Sequence, residues 1–528
     1  MCIRDSAYSH SNVSVSQRAL VGVMIIFHIY RNRLIFYPEI LKRVDLMDEI
    51  PTFRKEVARV YHQMLLCQET EKIDKKMREE IIPEMLKNVS SMRNMRFGFE
   101  ENEDENDDKN PDWADAFEQS GLGDKLREMN ELQLEGADVY MSTFAALKSY
   151  PFFREVQNWF YPFSKQQSDV IKQLKQEGNE KNTLLDLILQ SGFFSNSDKY
   201  SLFFTIRQLP KAQQDMMLSQ LGEQQVAELS EKSSAETMKK FNERPGTVSN
   251  QYLHDLYRFF KLSVRRHEFR DIFKEKLDLH HIPALSNVLY SEDILFPIAD
   301  FYLKKERWNE AIEVYEEMET IGALQGRGAE YYQKLGYALQ KNKKYAEAID
   351  AYLKADTLKP DNIWNNRHLA ICYRLNRNYQ AALSYYKKVE EATPEDTNVI
   401  FHIGSCLAEL GQYEEAANYF FKLDFIESNC IKAWRGIGWC SFISRKYEQA
   451  MKYYEKIIGQ KPQAIDYMNA GHVAWVMGDI QKAVTFYEKA IIACESREHF
   501  LEMFHKDEEA LLKQGIQEED IPLMLDLL

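Results

Sequence analysis

Residues 329–362 read AEYYQKLGYALQKNKKYAEAIDAYLKADTLKPDN, and this stretch decides the fold. Its apolar residues recur at three- and four-residue spacing, which is typical of one face of an α-helix. Gly336 and Ala348 are small residues within two such segments, and Pro360 stands at the end of the second. Because proline has no N–H and stops a helix, the stretch predicts two helices that form an antiparallel hairpin.

This arrangement recurs six times, in four columns that share one spacing. Successive members of each column are 37, 34, 34, 34 and 33 residues apart. The columns are a small residue at Ala299, Gly336, Ala370, Gly404, Gly438 and Gly471; alanine at Ala311, Ala348, Ala382, Ala416, Ala450 and Ala483; a bulky residue at Trp308, Tyr345, Tyr379, Tyr413, Tyr447 and Ile480; and an aromatic ring at Tyr315, Tyr352, Tyr386, Phe420, Tyr454 and Tyr487. Four columns that agree over six copies indicate a repeat architecture.

Helix packing explains why the columns hold these residue types. Two antiparallel helices approach closely only where their side chains are small, and aromatic rings fill the space beside the crossing. A single hairpin cannot bury its apolar faces, so neighbouring hairpins must stack into a superhelix with a concave groove. The sequence therefore predicts an all-α protein whose C-terminal half is an α-solenoid, preceded by a helical N-terminal region.

The pattern resembles the tetratricopeptide repeat (TPR) family. The matching residues are Tyr332, Leu335, Gly336, Tyr345, Ala348, Tyr352, Ala355 and Pro360 in the quoted stretch, and Trp434, Ile437, Gly438, Tyr447, Ala450, Tyr454 and Pro462 in a later copy. The resemblance covers residues 292–497 and implies six repeats of this type. The first repeat departs from the pattern, with Ala299 in place of glycine and three additional residues.

The resemblance also implies a binding surface, because partners of the family usually lie along the groove formed by the first helix of each hairpin. The corresponding residues are Trp364, Arg367, Arg374, Asn398, Phe401, Lys432, Arg435, Trp439, Phe442, Met468, His472 and Trp475. Cations and aromatic rings together suit a protein or peptide partner with acidic and apolar side chains. The alternative is that the aromatic residues pack against further helices of the same chain. The clamp with which some family members hold a C-terminal carboxylate is not matched, since Gln333 and Tyr337 occupy its positions.

Four further regions lie outside the repeats. Residues 1–99 predict a helical region, in which the first six residues belong to no readable pattern. Residues 100–111 predict an acidic loop or linker, because seven of nine consecutive residues from Glu100 onward are acidic. Residues 112–290 predict more helices, either as degenerate repeats or as a separate domain. Residues 498–528 predict helices that cap the solenoid, the alternative being a tail that inserts into a neighbour's groove.

Three stretches of the N-terminal half carry more specific predictions. Asp124 to Lys148 shows one long helical pattern, and the dense aromatic cluster within residues 151–163 predicts part of a core. Ala19 to Tyr30 is a run of twelve nearly all apolar residues, shorter than the roughly 20 that a membrane-spanning helix needs. We predict a buried core helix there, with a signal peptide or a membrane-associated segment as alternatives.

Composition narrows the classes of function. The net charge of −15 and the isoelectric point near 5.5 disfavour nucleic-acid binding, which needs clustered lysine and arginine. The seven cysteines are odd in number and mostly follow helical periodicity, so no disulfide framework is expected. This cysteine usage fits a reducing cytoplasm best, and no association with a membrane is expected.

The sequence offers one arrangement that could suggest a metal site. Cys372, Cys406 and Cys440 follow the repeat spacing, and His368 and His402 stand four residues before two of them. Helix axes about 8–10 Å apart do not suit zinc ligands at about 2.0–2.3 Å, so cysteine as a small packing residue is the favoured interpretation. The sequence contains no phosphate-binding loop, metalloprotease motif or nucleophile elbow. No catalytic, cofactor-binding or metal-binding residue is therefore predicted.

Together these observations predict a non-enzymatic scaffold or adaptor that binds a protein or peptide partner through the groove. One alternative is an enzyme with an unrecognised helical catalytic domain in residues 14–290 and the repeats as a docking arm. A compact cleft of polar or charged residues there would favour it. A third class, nucleic-acid binding by the helical repeats, would require a continuous basic groove. The partner, the pathway and the oligomeric state leave no pattern in the sequence.

Overall fold

The structure is a computed structural model of the 528-residue chain. It describes residues 7–81, 83, 131–133, 135–164, 166–174, 194–210, 213, 244–321, 328–494 and 496–528. The first six residues and the acidic segment 100–111 lie outside these ranges, so what the sequence indicates for them stays a prediction. Every regular element in the described ranges is helical, and the chain divides into two compact units, Met1–Ile294 and Leu295–Leu528.

The N-terminal unit contains helices of very different length. They are α1 (Val13–Ile29), α2 (Pro38–Asp48), α3 (Phe53–Gln68), α4 (Thr70–Lys76), α5 (Met141–Ala145), α6 (Ser168–Leu174), α7 (Asn196–Arg207), α8 (Pro245–Leu262) and α9 (Ser286–Leu289). Short 3-10 turns stand between several of them, such as Arg31–Phe36 and Pro151–Arg154. Helix α8 packs against both α1 and α3 and thereby joins distant parts of the sequence.

Helix α1 contains most of the apolar run from Ala19 to Tyr30. It begins after Asn12, whose side chain accepts hydrogen bonds from two backbone N–H groups of the first turn, at 2.9 and 3.3 Å. Leu20, Val21 and Met24 are at most 1% exposed, so the run forms a buried core helix, as the sequence predicts. In the part of the chain that the structure describes, no helix has the length and apolar character needed to cross a membrane.

Hydrogen bonds made by side chains fix α3 against its neighbours. Gln63 donates to Gly246 O at 2.9 Å and accepts from Ser249 Oγ at 2.7 Å, which links α3 to α8. Tyr61 Oη donates to Leu277 O at 2.9 Å and so holds the irregular segment before α9. These bonds satisfy polar groups that would otherwise be buried without partners.

The long helix predicted from Asp124 to Lys148 is interrupted, and that prediction is wrong. Gly136 has a φ of +91°, a left-handed conformation that glycine adopts without steric cost and that ends the turn before it. The chain then continues irregularly until α5 begins at Met141. This break directs Asp138 into the interior, where it is 3% exposed. Apolar spacing does not reveal the break because the apolar residues on both sides of Asp138 stay buried.

The aromatic cluster within residues 151–163 forms a core, as predicted. Phe152, Phe153 and Trp159 are at most 7% exposed. The ring of Phe152 lies 4.8 Å from that of Tyr200 on α7, measured between centroids. Trp159 Nε1 donates to Phe153 O at 2.8 Å, so the polar atom of this buried side chain is satisfied.

The C-terminal unit is a series of helix hairpins, which α10 begins. Its helices are α10 (Glu292–Lys304), α11 (Trp308–Ile321), α12 (Gly328–Lys341), α13 (Tyr345–Leu358), α14 (Ile363–Leu375), α15 (Tyr379–Ala392), α16 (Thr397–Glu409), α17 (Tyr413–Ile426), α18 (Ile431–Ile443), α19 (Tyr447–Ile458), α20 (Ala464–Val476), α21 (Ile480–Cys494), α22 (Arg497–Lys513) and α23 (Asp520–Asp526). From α12 to α21 the helices pair in sequence, and the second helix of each hairpin packs on the first helix of the next. The predicted α-solenoid is confirmed.

The column of small residues lies where the two helices of a hairpin cross. A Cβ atom added at Gly336, Gly404, Gly438 or Gly471 would come within 2.5 to 2.9 Å of an aromatic ring on the second helix of the same hairpin. The alanines of the second column are 0% exposed, and the aromatic residues of the fourth column are at most 3% exposed. Glycine therefore allows these rings to lie directly against the helix backbone.

A fifth column is defined by backbone conformation and not by residue type. It lies at the turn between the two helices of each hairpin. Positive φ angles from 57° to 83° occur at Glu306, Lys343, Arg377, Gly411, Arg445 and Gly478, with the same spacing as the other columns. The turn closes the first helix with a characteristic hydrogen bond, for example from Asn378 N to Tyr373 O at 2.9 Å. Only two of the six positions are glycine, and a side chain in this conformation costs about 1–2 kcal/mol.

At this turn, replacing glycine by alanine should lower stability, and replacing arginine by glycine should raise it. Gly478→Ala should lower the free energy of unfolding by about 1 kcal/mol through backbone strain alone, because no described neighbour lies within 4 Å of the added Cβ. Arg377→Gly should raise it by up to about 1 kcal/mol. Urea unfolding measures both, with Gly459→Ala as control because Gly459 has an ordinary helical φ of −70°. Shifts of the same sign at positions 478 and 377 would contradict this explanation.

Two helices follow the last hairpin. In α22, Phe500, Phe504 and Leu511 are 0% exposed, so one face of this helix is fully buried. It packs on both α20 and α21. Its C-terminal end reaches the preceding hairpin, since Tyr447 Oη donates to Gln514 Oε1 at 2.9 Å. Helix α22 thus lies over the last hairpin and extends to the turn of the one before.

Candidate partner-binding groove

The predicted partner-binding residues all lie on first helices of hairpins. They are carried by α14, α16, α18 and α20, and the surface of these helices together with α12 is called the groove below. Their environments differ along the groove. Some side chains are exposed, two form ion pairs with the next repeat, and others are covered by α22.

An open aromatic surface lies at the start of the groove. Trp364 is 42% exposed, and the centroid of its ring lies 4.0 Å from that of His368 and 6.1 Å from that of Tyr337. Tyr337 in turn contacts Trp308, at 6.0 Å between centroids. Rigid rings that are partly exposed in this way can pack against an apolar side chain of a partner.

A second group of predicted residues lies on α16 and α18. Asn398 and Lys432 are exposed and Phe401 is half-buried. Lys432 Nζ lies 6.0 Å from the centroid of the Phe401 ring, which places a cation beside an aromatic face. A partner that contacts this part of the groove would meet an ammonium group and a ring together.

Two of the predicted cations form ion pairs within the array. Arg435 donates two hydrogen bonds to Asp466, from Nε at 2.6 Å and from Nη2 at 2.7 Å, and these bonds raise the pKa of the guanidinium. Arg367 Nη2 donates to Asp396 Oδ2 at 2.7 Å. Both aspartates belong to the following repeat, so these arginines tie consecutive hairpins together. Their charges are neutralised before any partner binds.

Helix α22 covers the groove at its far end. The predicted residues Phe442, Met468, His472 and Trp475 are 1%, 0%, 0% and 5% exposed. The Phe504 ring of α22 lies 5.3 Å from His472 and 6.4 Å from Trp475. These four side chains are therefore inaccessible to a partner in this conformation. His472 and Trp475 pack against this helix of the same chain, which is the alternative that the sequence left open.

The two remaining predicted residues are half-buried. Trp439 contacts Phe442, with 5.7 Å between ring centroids. Arg374 lies beside Tyr386 and His402, and its Nε is buried without a hydrogen-bond partner in the described part of the chain. Burial, together with the charges of Arg374 and Lys432, lowers the pKa of His402 to about 4. The imidazole is consequently neutral at pH 7.

The cysteine column lies inside the hairpins. Cys372 and Cys406 are 0% exposed and Cys440 is 1% exposed. Burial raises the pKa of Cys372 and Cys440 to about 12 and that of Cys406, in spite of the nearby Arg374 charge, to about 11. The groups are therefore thiols at neutral pH. Their burial agrees with cysteine as a small packing residue.

A buried charge network that no sequence motif indicates lies in the N-terminal unit. Arg258 on α8 donates from Nε to Asp138 Oδ2 at 2.8 Å and also pairs with Asp198 of α7. Lys148 Nζ lies 2.9 Å from Asp198 Oδ1 and donates to Ser197 Oγ at 2.6 Å. The four charged side chains are each 1% exposed.

The pKa values in this network follow from burial and from the central arginine. Burial and the charge of Arg258 lower the pKa of Lys148 well below its usual range. Although burial alone would raise the pKa of Asp138, the charge and hydrogen bonds of Arg258 lower it. The clustered charges that an enzyme in residues 14–290 would need are present, but they are closed to a substrate in this conformation.

Comparison with known protein families bears on the C-terminal unit. A family model described as "Tetratricopeptide repeat" matches residues 329–362, 431–463 and 467–492, and a second model with the same description matches residues 369–424. The C-terminal region carries tetratricopeptide repeats. The matched TPR segments correspond to the hairpins from α12/α13 to α20/α21, and the hairpin α10/α11 lies outside them.

Several solved structures are similar to part of this chain. A TPR protein from Parabacteroides merdae ATCC 43184 has 20% identity and a TM-score of 0.35, over 45% of this chain and 98% of its own. YrrB, described as a TPR protein with an unusual peptide-binding site, has 20% identity and a TM-score of 0.31, over 37% and 96%. MamA from Desulfovibrio magneticus RS-1 has 18% identity and a TM-score of 0.29, over 32% and 93%. No curated protein matches the chain.

Proposed function

We propose that the chain is a non-enzymatic scaffold or adaptor that holds a protein or peptide partner in the groove of its TPR array. The observation that carries this proposal is the surface of exposed rings and cations on α12, α14, α16 and the start of α18. Trp364 supplies the most exposed ring, and Lys432 supplies an exposed cation. An aromatic ring beside an exposed cation, as at Phe401 and Lys432, suits a partner with apolar and acidic side chains.

The proposed binding segment runs from Tyr337 to Lys432. Beyond it, Phe442 is buried and α22 covers His472 and Trp475, so a partner would have to displace this helix to reach those two residues. Binding over the open segment requires no such rearrangement. A preformed surface avoids the free-energy cost of reorganisation, which favours this segment as the site.

The proposal places the protein in the cytoplasm. The six cysteines that the structure describes are free thiols, which fits a reducing compartment. A net charge of −15 opposes binding to a phosphate backbone, so the partner is proposed to be a protein and not a nucleic acid.

Substitutions on the open segment should weaken capture of the partner. We expect Trp364→Ala and Lys432→Glu in the full chain each to reduce recovery of the partner at least about tenfold, because loss of an interface anchor costs about 2 kcal/mol or more. Affinity purification with quantitative mass spectrometry measures this, comparing each variant with the wild type in the same lysate.

Phe425→Ala is the matched control for these variants. Phe425 lies on the second helix of a hairpin and is 90% exposed, so its removal takes away an exposed ring outside the groove. This variant should recover the partner as the wild type does. Recovery that is equal for all four proteins, or reduced only by Phe425→Ala, would rule out the groove as the binding site.

A further inference from the structure

Three polar side chains contact one another between α12 and α14. Tyr352 Oη donates to Gln340 Oε1 at 2.9 Å, and His368 Nδ1 lies 2.8 Å from the same oxygen. Because an amide oxygen only accepts hydrogen bonds, His368 Nδ1 carries the proton. Gln340 thus satisfies both donors.

The same three positions recur 34 residues later with one decisive change. Tyr386 and His402 repeat Tyr352 and His368, and their rings stack in a similar way, with centroids 5.4 Å apart instead of 5.7 Å. Arg374, however, stands where Gln340 stood. A guanidinium has five N–H donors and no acceptor, so the exchange removes the oxygen on which both neighbours depend.

The consequence is a group of buried polar atoms that no carbonyl or carboxylate oxygen satisfies. The Tyr386 hydroxyl, His402 Nδ1 and Arg374 Nε are all buried; the Arg374 guanidinium lies close enough to the Tyr386 oxygen to lower the pKa of that hydroxyl through a hydrogen bond, but none of the three atoms has an acceptor in the described ranges. Tyr386 as a whole is only 1% exposed. Buried donors without partners cost free energy, so the site lacks an acceptor that would complete it.

The charges around this group favour an anion. Arg374 and Lys432 are the cations that act on His402, and both lower its affinity for a proton. The carboxylate that acts on His402, Asp396, is already bound by Arg367 at 2.7 Å and accepts backbone N–H bonds at the start of α16. Burial keeps the imidazole neutral and raises the pKa of Tyr386 to about 12, so at pH 7 the imidazole retains one N–H and the phenol retains its O–H, and each can donate one hydrogen bond.

We propose that Arg374, Tyr386 and His402 bind the side-chain carboxylate of an aspartate or glutamate in the partner. The inference rests on the proposed function and names the chemistry that the groove recognises. A carboxylate offers two oxygens that accept several hydrogen bonds, and its single charge matches that of the one half-buried guanidinium, Arg374. A phosphate dianion carries two charges, so it would need Lys432 as a second cation besides Arg374.

The neighbouring repeats explain why this site occurs once in this part of the groove. In the next repeat the equivalent positions hold Ala408, Phe420 and Gly436, which offer no side-chain donor. In the preceding repeat, Gln340 already satisfies its neighbours. A single carboxylate would therefore fix the position of the partner along the groove. Its neighbouring apolar residues would then contact Trp364 in one repeat and Phe401 in the next.

The first experiment uses acetate as the probe and the full chain as the protein. Replacing 200 mM chloride by 200 mM acetate should raise the unfolding temperature of the wild type by about 2–4 °C, because a bound anion stabilises the folded state. R374Q should be more stable than the wild type in chloride, since glutamine restores the acceptor, and should lose the acetate-specific increase. R377Q removes the same charge from an exposed position of the same repeat and should keep the increase.

The second experiment distinguishes the sources of the anion by fluorescence anisotropy. The probes are labelled peptides Ac-Ala-Leu-Xaa-Phe-Ala-NH2, with Xaa as glutamate, glutamine or phosphoserine, and a glutamine peptide with a free C-terminus. Wild type and R377Q should bind the glutamate peptide at least about tenfold more tightly than the glutamine peptide, and R374Q should show no preference. Tighter binding of the phosphoserine peptide or of the free C-terminus would overturn the assignment to a side-chain carboxylate.

These outcomes separate the carboxylate site from the groove itself. Absence of both the acetate effect and the glutamate preference in the wild type would reject the site. If Trp364→Ala still reduced partner recovery in that case, the proposed function would stand without it. Equal behaviour of R374Q and R377Q would likewise reject it, because general charge attraction would then explain any preference.

Discussion

Arg258→Met is expected to destabilise the N-terminal unit by about 3–5 kcal/mol. The guanidinium pairs with Asp138 and Asp198, and all three side chains are 1% exposed. Methionine retains the apolar stem but leaves two carboxylates buried beside Lys148 as their main remaining cation. Removal of one partner from a buried ion pair is much more damaging than removal of both, because the remaining charge cannot be solvated.

Hydrogen exchange with mass spectrometry measures this effect separately in each unit. Peptides from residues 135–164 and 194–207 should lose protection, while those from 363–443 should not change. Arg265→Met is the control, since Arg265 forms an exposed ion pair with Glu268 and should leave exchange unaffected. Unchanged protection near Asp138 in Arg258→Met would show that the network contributes little to stability.

The sequence predicts the repeat array well because its defining contacts are local. Gly471 and the ring it meets, Tyr487, are sixteen residues apart, and the same pair recurs in other copies. A pattern of this kind records both the helices and their crossing. The turn column is less visible, because lysine and arginine occupy left-handed positions as well as glycine.

Contacts between distant residues are not predictable in this way. Asp138 and Arg258 are 120 residues apart, and neither stands in a motif. The aromatic face of α22 has the periodicity of any amphipathic helix, which does not say that it covers His472 and Trp475. These two predicted groove residues are therefore inaccessible, although their positions on the first helices follow the repeat.

The carboxylate site is only partly predictable from the sequence. Gln340 and Arg374 stand 34 residues apart in one column, so the exchange is visible in the sequence. Its meaning depends on Tyr352 and His368, whose contacts with Gln340 appear only in the structure. Comparison of equivalent positions between repeats is the signal that could have found it.

Gly471→Leu should destabilise the TPR array by about 3 kcal/mol, the upper end of what overpacking costs. Even an added Cβ would lie 2.5 Å from Tyr487 Cε1. This ring cannot retreat easily, because Phe500 and Phe504 of α22 pack against it and its hydroxyl lies 2.8 Å from His472 Nδ1. A leucine would therefore separate α20 from α21 and also disturb the helix that covers them.

Substituting residues of increasing size at position 471 makes this test specific to the point where α20 and α21 cross. Gly471→Ala should cost about 1 kcal/mol, because the steric conflict exceeds the roughly 1 kcal/mol that alanine contributes to helix propensity. Gly459→Ala should not destabilise, since the nearest atoms to its added Cβ are 3.5 Å away. Urea unfolding gives the global values, and exchange protection in α20 to α22 shows where the loss occurs. If Gly471→Leu and Gly459→Ala had equal stability, close approach of the helix backbone to Tyr487 would not be what selects glycine at this column.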